Sequence, residues 1–151
     1  MKHVLGIAAL AALCATSGLA AAQQQTKPED VIKFRQGAYR VIGWYMGPLG
    51  QMVKGQRPFD QAVFTRNAGV IEQMSHVVPE AFLPGSDKGE TRAKPEIWQQ
   101  QDKFKSAMDR FQSEAAKMSE VSKQGNPDQI KNQFGALAKA CSNCHDQFRA
   151  K

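Results

Sequence analysis

The chain has 151 residues, a formal net charge of +6, three cysteines and three histidines. That length suits one domain around one core. The charges are scattered without a basic run, which argues against nucleic-acid binding, and no segment is long and apolar enough to span a bilayer.

Residues 1–22 read as a secretory signal peptide. Lys2 and His3 make a basic start, Val4 to Leu13 is an apolar run, and Ala20-Ala21-Ala22 offers a cleavage site before Gln23. Cys14 falls inside this segment, and bulky Leu13 stands where a lipoprotein signal needs a small residue. The mature domain is then 23–151. Lys2 is the one basic residue lost, so 19 basic residues face 14 acidic ones and the charge becomes +5.

Residues 23–26 read as a loose lead-in. Lys27-Pro28-Glu29-Asp30 opens a helix: proline suits the first turn, and the two acids suit its positive end. Phe34, Ala38, Val41, Tyr45, Leu49 and Met52 continue it as an apolar stripe. Gly47-Pro48 inside the stripe predicts a kink, and Gly55 ends the helix. Asp60 is the expected cap of a second helix, with Phe64, Ala68, Ile71, Met74 or Ser75, and Val78 on its inner face until Pro79. Residues 79–95 carry three prolines and two glycines and read as one long irregular connection. After a short turn at 96–98, a third helix shows Phe104, Met108, Phe111, Ala115, Met118 and Ser122. Gly125-Asn126-Pro127-Asp128 then reads as stop, cap, first turn and acid in order.

The last helix steps through Ile130, Phe134, Leu137, Cys141, Cys144 and Phe148. Four such stripes, with two short connections and one long one, predict an all-α fold: an antiparallel four-helix bundle.

Within the last stripe lies Cys141-Ser142-Asn143-Cys144-His145. C-x-x-C followed at once by histidine is the attachment signature of haem c, one covalent group per chain. Each thiol adds to a vinyl group, and the imidazole is placed to bind the iron. At 100° per residue the three side chains share one helical face. A redox dithiol normally follows a strand, and a zinc site needs further ligands; the sequence offers neither. Both cysteines of the mature chain are used, leaving none for a disulfide.

From these residues the sequence resembles the cytochrome c′ family, the high-spin bacterial class of c-type cytochromes. The likeness runs through Lys33-Phe34-Arg35-Gln36, Gly43-Trp44, Val53-Lys54-Gly55, Pro58-Phe59-Asp60, Pro84-Gly85, Lys94-Pro95-Glu96-Ile97-Trp98 and Cys141 through Arg149. It implies a haem-bearing bundle, often a homodimer, in the periplasm. It implies a pentacoordinate iron with His145 as the sole protein ligand, and a vacant face that takes nitric oxide or carbon monoxide. Electron transfer with redox partner proteins and nitric oxide handling are both proposed for the family. The resemblance assigns Arg35 and Gln36 to the haem propionates, Glu90 and Thr91 to a haem-contacting loop, Tyr39 to the ligand-binding face and Arg149 to the flank of His145. Read alone, Arg35 and Arg149 are surface charges.

The sequence admits two other functions. A methionine, Met46 before the others, would make a six-coordinate His/Met electron carrier. An enzyme consuming nitric oxide or peroxide would need acid–base groups over the iron, and only Tyr39 offers one, so the reading is of a non-enzymatic protein. Spare apolar residues on the first two helices add to the expectation of a dimer.

Overall fold

The computed structural model describes residues 26–151, and the signal-peptide reading of residues 1–22 lies outside them. Five α-helices follow in order: α1 (Pro28–Val53), α2 (Gln61–Val77), α3 (Glu96–Gln99), α4 (Gln101–Gln124) and α5 (Pro127–Phe148). A 3₁₀ turn, Val78–Ala81, prolongs α2. The four long helices form the expected bundle, and α3 is the short turn expected at 96–98.

The helix ends follow from local chemistry. Pro28 occupies the first turn of α1. The Val63 amide donates to the Asp60 carboxylate at 2.9 Å, and the Gln129 amide donates to the Asn126 side chain at 3.0 Å. These bonds satisfy donors that each helix start leaves free. Gly125 ends α4 at φ +73°, where a Cβ would also meet the Gln61 side chain at 3.1 Å. Helix α1 runs on through Pro48 to Val53.

Packing divides the bundle along its length. At one end Leu49, Phe64, Ile71, Met118 and Leu137 are fully buried and fill the space between helices. At about 1.5–3 kcal/mol for each such side chain, this end is the main anchor of the fold. Helix α4 packs extensively on α5 and α2, whereas α1 and α5 touch sparsely. The reason is a cavity between α1 and α5 at the other end.

The inner face of α1 differs from the expected stripe. Val31, Ile32, Arg35, Ala38, Ile42, Leu49 and Met52 are buried, whereas Phe34 and Val41 are exposed and Tyr45 is half-buried. Together with Trp44, which is 79 % exposed, Phe34 and Val41 form a second, outward apolar face. On α2 it is Ser75 that turns inward, while Met74 stays half-buried.

Polar ties join the helices. Glu114 is buried in α4, where its carboxylate accepts from the Gln133 side chain of α5 at 2.7 Å, from Arg110 at 3.0 Å and from Lys117 at 3.3 Å. The bond from Gln133 leads in holding this carboxyl below its ordinary range; burial opposes it, and the two cations assist. A lowered carboxylate pKa stabilises the fold above the unfolded value and ceases to do so as pH falls through the folded one. Glu114→Gln is therefore expected to cost about 1 kcal/mol at neutral pH, because Arg110 and Lys117 are solvent-screened. Denaturant titrations should show the gap between the two proteins closing as pH drops below about 4.

Candidate functional site

The cavity encloses about 660 Å³. Eight of the nine residues singled out in the sequence line it: Arg35, Gln36, Tyr39, Thr91, Cys141, Cys144, His145 and Arg149. Glu90 does not. Its side chain is exposed, and it contributes only a backbone carbonyl, which accepts from Gln36 Nε2 at 2.7 Å. Ile42, Phe104, Met108, Phe111 and Phe148 supply apolar wall.

Helix α5 brings Cys141, Cys144 and His145 to one side of the cavity, as the 3.6-residue repeat requires. Burial pushes the Cys141 thiol up, and burial plus the neighbouring Cys141 pushes Cys144 up to about 11. Both are thus thiols at neutral pH, which suits neither a low-pKa redox dithiol nor a thiolate metal site. Among the described residues, no cluster of histidine, cysteine and carboxylate side chains could hold a metal ion. His145 is shifted the other way. Burial and then the charge of Arg149 lower its pKa; Asp146 pulls the other way, and Arg92 adds a smaller push downward. A neutral imidazole, as metal ligation requires, is the result.

Arg35 is 3 % exposed, and every partner it has is neutral. Nη1 donates to the Ala81 carbonyl at 2.9 Å and to Ser86 Oγ at 3.0 Å; Nη2 donates to the Ser86 carbonyl and to Thr91 Oγ1, each at 2.8 Å. The guanidinium lies 5.0 Å from the Phe82 ring centroid and 5.8 Å from that of Trp98. The Trp98 indole N–H in turn donates to the carbonyls of Phe82 and Leu83. So Arg35 organises the 79–95 connection, a role that the sequence did not announce. Burial lowers its pKa, with Tyr39 acting weakly in the opposite direction. No carboxylate of the described residues pairs with it. A buried cation at a cavity wall without an anion is suited to a ligand carboxylate.

Tyr39 enters from α1, half-buried, with its ring edge-on to Phe82 at 6.4 Å. Its hydroxyl bonds to no described residue. Burial, and then Cys144 and Cys141, push its pKa well above the usual phenol range, so it keeps its proton as a donor. Two thioether side chains, Met46 and Met108, also line the space.

The connection closes the site by a backbone latch. Ala93 and Arg149 form an isolated antiparallel bridge: the Lys94 amide donates to the Phe148 carbonyl at 3.0 Å, and the Ala150 amide donates to the Arg92 carbonyl at 2.8 Å. Lys94 Nζ caps the end of α5 through the carbonyls of Asp146 and Gln147. Sequence reasoning also missed Arg40 and Arg92, which line the cavity with Arg35 and Arg149. The only signal for Arg40 was its position four residues after Gln36 on the same helical face.

The residues fit a covalently held haem. Two protonated thiols and a neutral imidazole share one side, the walls are largely apolar, and an unpaired buried guanidinium awaits a carboxylate. The family model described as Cytochrome C′ matches residues 30–149. The chain is 38 % identical to cytochrome c′ from Rubrivivax gelatinosus over 129 residues, 85 % of this chain and all of that protein. It is 36 % identical to the cytochrome c′ of Alcaligenes xylosoxydans xylosoxydans, again over 85 % of this chain and 99 % of the other. Its structure superposes on cytochrome c prime from Shewanella frigidimarina with a TM-score of 0.81 at 38 % identity, covering 83 % of this chain and 98 % of that one. The nitric oxide complex of a variant of cytochrome c prime from Alcaligenes xylosoxidans superposes with a TM-score of 0.78 at 36 % identity, with 83 % and 98 % covered. The chain belongs to the cytochrome c′ family of covalent haem c proteins.

Proposed function

We propose that this chain is an exported, periplasmic haem protein whose iron has one protein ligand, His145, and an open face beside Tyr39. It binds small gases such as nitric oxide there and exchanges electrons with other proteins; it is not an enzyme. Cys141 and Cys144 hold the haem, Arg35 and Gln36 meet its propionates, and Thr91 orients Arg35. Burial first, and then the charge of Arg149, keeps His145 neutral. Glu90 acts only by tying the connection to Gln36. The bound group supplies an iron that takes a diatomic ligand and one electron.

The observation that carries this reading is the composition of the cavity wall. Among its lining residues the only imidazole is His145, and the residue entering from α1 is an aromatic phenol. Tyr39 restricts the open position sterically and offers an O–H to a bound ligand. Tyr39→Ala in the haem-loaded protein is expected to raise carbon monoxide affinity by roughly tenfold, by removing about 1.4 kcal/mol of steric hindrance. Titration of the reduced protein measures it, and an unchanged affinity would remove Tyr39 from the ligand face.

Met46 and Met108 keep a second reading open, a six-coordinate electron carrier with one methionine on the iron. The optical spectrum of the protein decides between them. A high-spin spectrum is expected, and a low-spin spectrum with a methionine–iron band would establish the carrier instead.

The outward face of α1 supports a homodimer through α1 and α2. Phe34, Val41 and Trp44 leave an apolar surface that a monomer has no reason to expose. Sedimentation at micromolar concentration is expected to give twice the chain mass, and Trp44→Glu to give the single mass.

A further inference from the structure

Arg149 bears on His145, but its charge also belongs to a group of three arginines at the cavity mouth. Arg40, Arg92 and Arg149 are all exposed, all line the cavity, and none forms an ion pair with a described residue. They come from three separate elements. The fold gathers them by two ties already described. Gln36 holds Glu90, which sets residue 92 beside the turn of α1 that carries Arg40. The bridge at Ala93 and Arg149 sets residue 92 beside the end of α5. Together with buried Arg35, four arginines and no carboxylate line this cavity. Among the flanking residues Glu90 and Asp146 are acidic, and Lys94 reaches the Asp146 carbonyl. Two haem propionates would leave the mouth with a positive excess.

Exposed charges of one sign, unpaired and gathered around a redox site from different elements, contribute little to stability. They do raise the encounter rate with an oppositely charged surface, by about 10- to 1,000-fold. They also orient that surface toward the site. We propose that Arg40, Arg92 and Arg149 form a docking surface for the acidic face of a partner protein, which delivers or removes an electron at this mouth. The proposal rests on the electron-exchange reading and adds the place of contact and the charge of the partner. A protein fits better than a small anion, because the three side chains are exposed and come from separate elements.

The test uses the haem-loaded protein and two reductants generated in place by anaerobic flash photolysis. One is the semiquinone of flavodoxin, a small acidic flavoprotein; the other is the semiquinone of free riboflavin, which is neutral. The variants are the double Arg40→Glu, Arg92→Glu and a control of equal charge at the far end of the bundle, Lys54→Glu, Arg57→Glu. With flavodoxin, the wild-type rate is expected to fall about tenfold or more as ionic strength rises from about 10 to 300 mM. The rim variant should lose about tenfold at low salt and show a flat or inverted salt response, whereas the control should lose less than twofold. Riboflavin reports any change in the haem itself, so each loss is read as the flavodoxin rate divided by the riboflavin rate of the same protein.

Equal losses in the rim variant and the control would reduce the effect to net charge and overturn the surface. So would a flavodoxin rate that ignores Arg40 and Arg92 while riboflavin still reduces the haem, and the electron-exchange reading would then survive. Should neither flavin change the haem's oxidation state, that reading fails and the surface fails with it. Inorganic phosphate at constant ionic strength that slows the wild type to the rate of the rim variant would assign the rim to a small anion, which also overturns docking.

Discussion

A Cys141→Ser, Cys144→Ser double variant, made in a host that matures c-type haem, is expected to carry no haem that survives denaturation. Serine keeps the shape but lacks the sulfur that forms the thioether. Loss should be complete on a haem-stained denaturing gel, and each single variant should retain at most one bond. The effect extends beyond colour. At about 24 cal/mol per Å³, a dry void of 660 Å³ would cost about 16 kcal/mol, above the whole stability of an ordinary domain. That figure is an upper bound because water enters, but it decides the direction: the hollow end cannot keep its shape without its ligand. The solid end, with Leu49, Phe64, Met118 and Leu137, has no such need. The double variant should therefore retain most of its far-ultraviolet helical signal and lose much of its near-ultraviolet signal. Covalent haem in the double variant would refute the assignment of the two cysteines.

Arg35→Leu should be the next most damaging single change. It removes the donor to the Ala81 and Ser86 carbonyls and to two hydroxyls, in a place where water cannot fully replace it. Buried acceptors left without partners cost about 1–3 kcal/mol each, but the connection can relax toward solvent. A net loss of about 3 kcal/mol, or about 10 °C in the melting midpoint, is expected for the haem-loaded protein. Hydrogen exchange should locate the loss in residues 82–93, with α2 and α4 unchanged. Arg35→Lys should recover only part, since an ammonium lacks the planar fork that reaches Ser86 and Thr91 together. Uniform loss of protection across the bundle would show that Arg35 supports the core in general and not the connection.

The sequence was most legible where the chemistry is local. Asp60, Asn126, Pro127 and Gly125 mark helix ends by their own hydrogen bonds and backbone preferences, and each stands where its residue type requires. The stripes of α4 and α5 were legible because each of those helices has one apolar face. Helix α1 has two. Phe34, Val41 and Trp44 follow the same helical period as Ala38, Ile42 and Leu49, so periodicity alone could not choose the inner one. The residue that marks the inner face is Arg35, and a charge is ordinarily taken as a sign of the outside. Its burial depends on acceptors more than forty residues away, which no local pattern encodes. The same limit hid Glu114, whose partner Gln133 lies on the next helix, and Arg92, brought to the cavity by the bridge beside it. The cysteines and histidine were legible because covalent attachment fixes their order and spacing outright.

The pairing of Ala93 with Arg149 also constrains the order of assembly. One half of this fastening lies in the middle of the chain and the other at residues 148–150. An exported chain emerges from the membrane with the first half well ahead of the second, so one side of the chamber stays ajar until Ala150 has emerged. Cys141 and Cys144 precede that moment by only a few positions. The interval in which a bulky porphyrin can be threaded between α1 and α5 thus ends with the fastening and not with the formation of either helix.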